Sequence, residues 1–337
     1  MPVRLAFLLG LTGVAGLLAS PVETAKRSRA DIEAGLKALE AKHRAAPETP
    51  PPKETKEVAT PAEKPKAGGK AAKGAAADLV IKPDEMKRAR AELLRLNGYR
   101  FLCGLDAEVK LKDDYTLTCK FGAYLCSVLG HIEHTPPKPA GMDELIFKKG
   151  YEGTSHSNLF YTSGPDGLTG SVDGYMDDSD EKNVGRVGHR RWCLNPGMGF
   201  TGFGQVRGFS AMWSFDGAGA SGGAGPVCFP AAGFWPLSFY RMRTAWSISA
   251  DPGRFAFDDK VVPKVYLLGG SERFPAEVKG LKELKLADVR VSREGIGTPQ
   301  CLIFRPDVTP RRGTRVGVSV PLKGWTSPNL EYVVEFY

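Results

Sequence analysis

The sequence predicts an α/β domain followed by a small all-β domain, and three features of the chain lead to that expectation. Two stretches repeat apolar residues at helical spacing, Met86, Ala89, Leu93 and Leu96 in the first and Leu117, Phe121, Tyr124, Leu125, Val128, Leu129 and Ile132 in the second. From Asp251 onward the period changes to two, with Val316, Val318, Val320 and Leu322 alternating and a last strand expected over Tyr332 to Tyr337. Between them lies a Gly, Pro and aromatic-rich tract, the composition of a connector. At 337 residues the chain has room for two domains, and 42% hydrophobic with 25% charged residues is ordinary for globular protein.

The N-terminal residues read as an address. Arg4 precedes an apolar run from Leu5 to Leu18, closed by Ala19, Ser20 and Pro21, the layout of a secretory signal over residues 1–20 and too short for a spanning helix. A Lys, Ala, Pro and Glu-rich stretch follows over 21–80. Ile32, Leu36 and Leu39 allow a short helix there, but the rest lacks the apolar side chains needed to offset ordering entropy, so a disordered tether is expected. Part of the formal charge of +8 sits on this tether, which suits contact with an anionic cell surface or simply keeps a linker solvated. The basic runs are not interleaved with aromatics, which argues against nucleic-acid binding.

The first helix begins at Pro83, where a missing N–H costs nothing, with Asp84 and Glu85 in its first turn, and ends before Gly104. Asp114 is placed to cap the second, and Pro136 and Pro137 force its end. His134 therefore falls in the exit turn. Further on, SVDGYMDDS sets Tyr175 and Asp178 three residues apart on one helical face, with Asp173 and Asp177 as competing carboxylates, and GHRRWCLNP presents His189 at the start of a short helix. Phe200 to Val206 and Ala211 to Phe215 read as strands. Imidazole matters here because it alone changes charge near neutral pH and ligates transition metals while neutral.

The ordered set LNGYR, HTPP, GTSHSNL, SVDGYMDDS, GHRRWCLNP and TGFG resembles the CAP superfamily of SCP-like extracellular domains in its bacterial form, over about Pro83 to Asp216. The resemblance implies a CAP-type α/β/α sandwich over 81–216. A Gly/Pro/aromatic-rich connector over 217–250 and an immunoglobulin- or fibronectin-like β-sandwich over 251–337 are expected to follow it. It also implies a cleft formed by His134, His156, Ser157, Asp178 and His189, with His134 and His189 as ligands for zinc or another divalent cation. Ser157 stands where the family commonly carries a glutamate, so one acid is missing; His156 is either a substitute ligand or a turn residue bonded to a carbonyl.

Two functions are compatible with this set. One is a secreted or periplasmic, cell-surface binding module for an extracellular ligand. The other is a metal-assisted hydrolase of peptide or cell-wall material, with Asp178 as the candidate base. No serine nucleophile elbow, H-E-x-x-H helix or phosphate loop offers another catalytic route. Export would also favour oxidation of the six cysteines, and at least one disulfide involving Cys103, Cys119, Cys126 or Cys193 is expected.

Overall fold

A computed structural model describes residues 24–45, 79–219, 225–270 and 274–337. The expected signal and most of the tether lie outside the described residues. Both long helices form, but the second starts at Asp113, with Lys112 rather than Asp114 at its N-cap, and ends at Gly130, before Ile132 and before the prolines read as its stop. Helix α1 (Arg29–Ala45) precedes helix α2 (Pro83–Leu102), which runs to the turn at Gly104, where φ is +73°. After β1 (Lys110–Leu111), α3 (Asp113–Leu129) stops at Gly130, whose left-handed φ of +78° suits a residue without Cβ.

Helix α4 (Glu144–Ser155) follows, capped by the Asp143 carboxylate on the N–H groups of Leu145 and Ile146. Then come β2 (Ser157–Tyr161), α5 (Ser171–Asp177), α6 (Gly188–Cys193), β3 (Phe200–Thr201), β4 (Phe203–Val206) and β5 (Phe209–Trp213). Strands β2, β5 and β4 make an antiparallel three-stranded sheet with β5 in the centre. Alternation splits its side chains. Leu159, Phe209, Ala211 and Trp213 pack with Cys119 and Cys126 of α3, whereas Phe203 and Met212 join a cluster with Leu96 and Tyr99 of α2 and Tyr175 of α5. The sheet thus carries helices on both faces.

The C-terminal region is β-rich. Strands β6 (Val227–Phe229), β7 (Gly233–Trp235), β8 (Trp246–Ala250), β9 (Lys264–Leu268), β10 (Lys282–Glu283), β11 (Leu286–Ser292), β12 (Gln300–Pro306), β13 (Arg315–Pro321) and β14 (Asn329–Phe336) form two sheets. Their orders are β10-β9-β13-β14-β7 and β11-β12-β8-β6. Val316, Val318, Val320 and Val334 from the first meet Trp246, Ile248, Leu302 and Phe304 from the second in one core. All pairs are antiparallel except β14 with β7.

Two sequence boundaries need correction. The β region starts at β6, inside the stretch 217–250 read as a connector: β6, β7 and β8 all lie within that stretch, and β8 is buried at every position. The tether reading also fails for α1. Ile32 is fully buried, and the Arg27 guanidinium donates to the carbonyls of Phe101 and Leu102 at 2.7 Å each. Gly35 lets the Phe101 ring approach where a Cβ would collide with it.

The two halves share a single hydrophobic cluster, and α6 fixes one to the other. Arg190 is fully buried and donates to Ala245 O (2.7 Å) and Ser247 Oγ (3.1 Å) beyond the sheet boundary, and to Met176 O (2.7 Å) and Asp177 O (2.5 Å) on the helical side. Arg191 reaches Ser292 Oγ at 3.0 Å and the carbonyls of Glu294 and Thr298. This arginine pair docks the C-terminal β region on the helical half.

Candidate functional site

Each half of the histidine pair is built at a helix end. α3 stops at Gly130, and His134, just before the prolines, comes to rest against the last turn of α4. There His134 Nδ1 lies 2.9 Å from Thr154 O, and Thr154 Oγ1 donates back to His134 O at 3.0 Å. A carbonyl only accepts, so Nδ1 carries the proton and Nε2 keeps its lone pair. His134 is exposed along its outer edge, yet desolvation of the inner edge holds its pKa below the ordinary 6.5. The charge of His189 pushes the same way.

His189 is positioned by Asp178. Asp178 ends α5 in the left-handed region with φ of +44°, and Val187, just before α6, has φ of +42°, a rare conformation for a β-branched residue. These two strained positions fold the acidic loop back so that the Asp178 side chain, 1% exposed, meets the start of α6. Asp178 Oδ1 accepts from His189 Nδ1 at 2.7 Å, and Oδ2 accepts from the backbone N–H of His189 at 2.9 Å and of Arg190 at 3.4 Å. The Tyr175 ring stacks on His189 with centroids 5.7 Å apart, and its hydroxyl donates to Asn158 O at 3.1 Å. The Asn158 amide in turn donates to His189 O at 3.0 Å. His189 is therefore held by its ring, its backbone and its face, again with Nε2 as the unprotonated nitrogen.

The carboxylate competitors are used elsewhere. Asp173 pairs with Arg95 at 2.6 Å and accepts the Tyr99 hydroxyl at 2.7 Å, and Asp177 accepts the Thr244 hydroxyl at 2.8 Å. Asp178 itself does not suit a general base, since both oxygens are committed to α6 and the side chain is almost wholly buried. It orients His189.

Ser157 and His156 depart from the expected cleft set. Strand register turns Ser157 toward α3, where it is buried with its hydroxyl 3.5 Å from Cys119 Sγ, and Asn158 takes the opposite face. His156 caps α4 with Nδ1 3.0 Å from Glu152 O, and its ring lies parallel to Trp213 (5.2 Å, 6°) with the Phe215 ring edge-on (5.0 Å, 71°). The carbonyl-bonded alternative is the one found. Trp192, partly exposed, packs on Phe215 at 4.4 Å and extends this aromatic wall along α6 from His189.

Other motif residues hold the frame. Arg100 of LNGYR is buried and donates to Asp106 O (2.7 Å), Asn195 O (2.8 Å) and Cys193 O (3.0 Å), tying α2 to the LNP turn. All six cysteines are buried free thiols in this structure, with no disulfide among them, and the thiols of Cys119 and Cys193 make polar contacts with Ser157, Gly202 and Asn158.

Sequence reasoning missed Thr154, whose contribution is a backbone carbonyl at the end of a helix that carried no clear signal beyond Asp143. Among the described residues no group of three or more His, Cys, Asp or Glu side chains converges as a metal-ligand set. The donor set at this site is the two imidazoles of His134 and His189. No helix among the described residues is long and apolar enough to cross a membrane. No protein-family model, no curated protein and no solved structure matches this chain.

Proposed function

We propose that the chain is a secreted or cell-surface binding module of CAP type whose His134 and His189 share one divalent cation, zinc by preference, in recognition of an extracellular ligand. The observation that carries this reading is the matched state of the two rings. Each gives its Nδ1 proton to a fixed acceptor, Thr154 O or Asp178, and each keeps Nε2 for ligation. The layering of helices on both faces of a three-stranded sheet, with the histidines at helix ends, supports the CAP-type reading.

Two imidazoles suit zinc in ligand type, and a zinc held by them would polarise a coordinated group of the ligand. Two protein ligands make a weaker site than the three or four of catalytic and structural zinc centres. The alternative, a metal-assisted hydrolase, needs a base that reaches the attacking water, and Asp178 is spoken for. That favours binding over hydrolysis.

The discriminating experiment assays hydrolysis of casein and of peptidoglycan with and without chelator, beside zinc calorimetry on the same preparation. The binding reading expects zinc uptake with no chelator-sensitive hydrolysis. Chelator-sensitive cleavage of either substrate would replace it with the hydrolase.

A further inference from the structure

A second site lies away from the histidine pair, where α1 docks on α2 and the segment leading into β1. These elements enclose a cavity of about 380 Å³, within the roughly 300 to 1,000 Å³ range of small-molecule pockets. Leu39 of α1, Leu93 and Leu94 of α2 and Leu111 of β1 form much of its wall, and all four stay partly exposed although they are apolar. An apolar molecule seated against them would take that surface out of water.

Charge around the cavity is provided for without a ligand. Lys42 of α1 pairs with Glu108, Arg90 of α2 makes a contact of its own, and Lys110 is exposed to solvent. Burial, and after it the charge of Arg90, hold the His43 pKa below its ordinary 6.5, so this ring is neutral near neutral pH. An unmet demand remains in hydrogen bonding. Asn97 of α2 lines the cavity and is 8% exposed; its Nδ2 donates to Val109 O at 3.0 Å, while its Oδ1 is buried without a donor. A buried acceptor left in this state costs free energy that a bound donor would recover. A charged group would lose its hydration against the leucines, a cost that a neutral donor avoids.

We propose that this cavity binds a small neutral, largely apolar molecule with one hydrogen-bond donor, a phenol or an alcohol, its body along the leucines and its O–H toward Asn97 Oδ1. The site exists only because α1 is docked. It is independent of the function proposed for His134 and His189.

The test titrates the full chain at neutral pH with 1-naphthol and with 1-methoxynaphthalene, the same ring system with the O–H replaced by an ether. Naphthalene fluorescence should show one saturable site for naphthol. The ether is the more apolar of the two, so transfer from water alone favours it; the orphan acceptor should reverse that order and make naphthol bind about tenfold more tightly. Asn97→Leu should abolish the preference for naphthol, because it removes the acceptor and keeps a side chain of similar size. Leu94→Trp should abolish binding of both compounds by filling the space, with Leu39→Trp making the same test from the facing helix, and thermal melting verifies that each variant is folded. His134→Ala/His189→Ala should bind naphthol as wild type does, which separates this site from the histidine pair. No saturable binding of naphthol, or binding of the ether as tight as that of naphthol, would overturn the proposal. So would an unchanged preference in folded Asn97→Leu, or unchanged binding in folded Leu94→Trp or Leu39→Trp.

Discussion

Replacing Asp178 by Asn changes one atom and should reverse the proton placement on His189. The native carboxylate accepts three hydrogen bonds, from His189 Nδ1 at 2.7 Å and from the N–H groups of His189 and Arg190 at 2.9 and 3.4 Å. An amide in the same position can keep Oδ1 on the backbone N–H groups but must turn its NH2 toward the ring. His189 Nδ1 then has to accept, the proton moves to Nε2, and the lone pair needed for ligation is gone. Loss of such an orienting partner costs about 10- to 100-fold in metal affinity, or about 1.4 to 2.8 kcal/mol. Exchange of charge-assisted for neutral bonds should cost about 1 to 2 kcal/mol of stability, so the variant stays folded. Asp178→Ala is harsher, because it also removes the carboxylate beside the buried Arg190, and should cost about 3 to 5 kcal/mol. Zinc calorimetry, ring ¹⁵N chemical shifts and thermal melting measure the three quantities. Wild-type zinc affinity in Asp178→Asn, with the proton still on Nδ1, would refute the orienting role.

Other outcomes follow from the same structure. Folding holds His134 below an ordinary imidazole pKa of 6.5, so the unfolded chain binds more protons there; stability should fall as pH drops through that range, and His134→Gln should flatten that part of the denaturation profile. Ile32→Ala should destabilise by about 2 to 5 kcal/mol in a urea melt if α1 belongs to the core, and by almost nothing if it is a tether. Arg190→Met strands acceptors on both halves and should cost about 3 to 5 kcal/mol, whereas a near-neutral melt would mean the halves are docked by apolar contact alone. Burial pushes the thiols of Cys103 and Cys119 up to about 12, so a thiol reagent near pH 8 should leave the native protein largely unmodified, and unfolding without reductant should release six reactive thiols; fewer than six would reveal a disulfide.

Helices α2 and α3 are legible from their apolar stripes, and β13 from the alternation of Val316, Val318 and Val320, although both faces of that strand are buried. Strand β8 alternates Trp246, Ile248 and Ala250 with two serines, but at five residues, next to a Gly, Pro and aromatic-rich tract, it does not stand out from a connector. Helix α1 carries Ile32 and Leu36 at helical spacing, but its docking depends on long-range partners, the Phe101 ring over Gly35 and the carbonyls that Arg27 reaches, which no local pattern announces.

The histidine site divides along the same line. His134, Asp178 and His189 sit in motifs distinctive enough to single out, and the structure gives each a defined contact. Ser157 was misplaced because its side depends on the register of β2 against β5, where it pairs with Trp213. Asp178 was read as a base because a carboxylate near a histidine has two chemical uses, and only burial and hydrogen-bond count separate them.

The shared-cation claim is tested most directly by one zinc titration of the whole protein in which the ring nitrogens of His134 and His189 are followed together by NMR. The account predicts that both Nε2 resonances shift in step and saturate at one equivalent, that both Nδ1 protons persist, and that the response weakens as pH falls below the imidazole range. Movement of only one ring, or of the two at different zinc ratios, would contradict a common site.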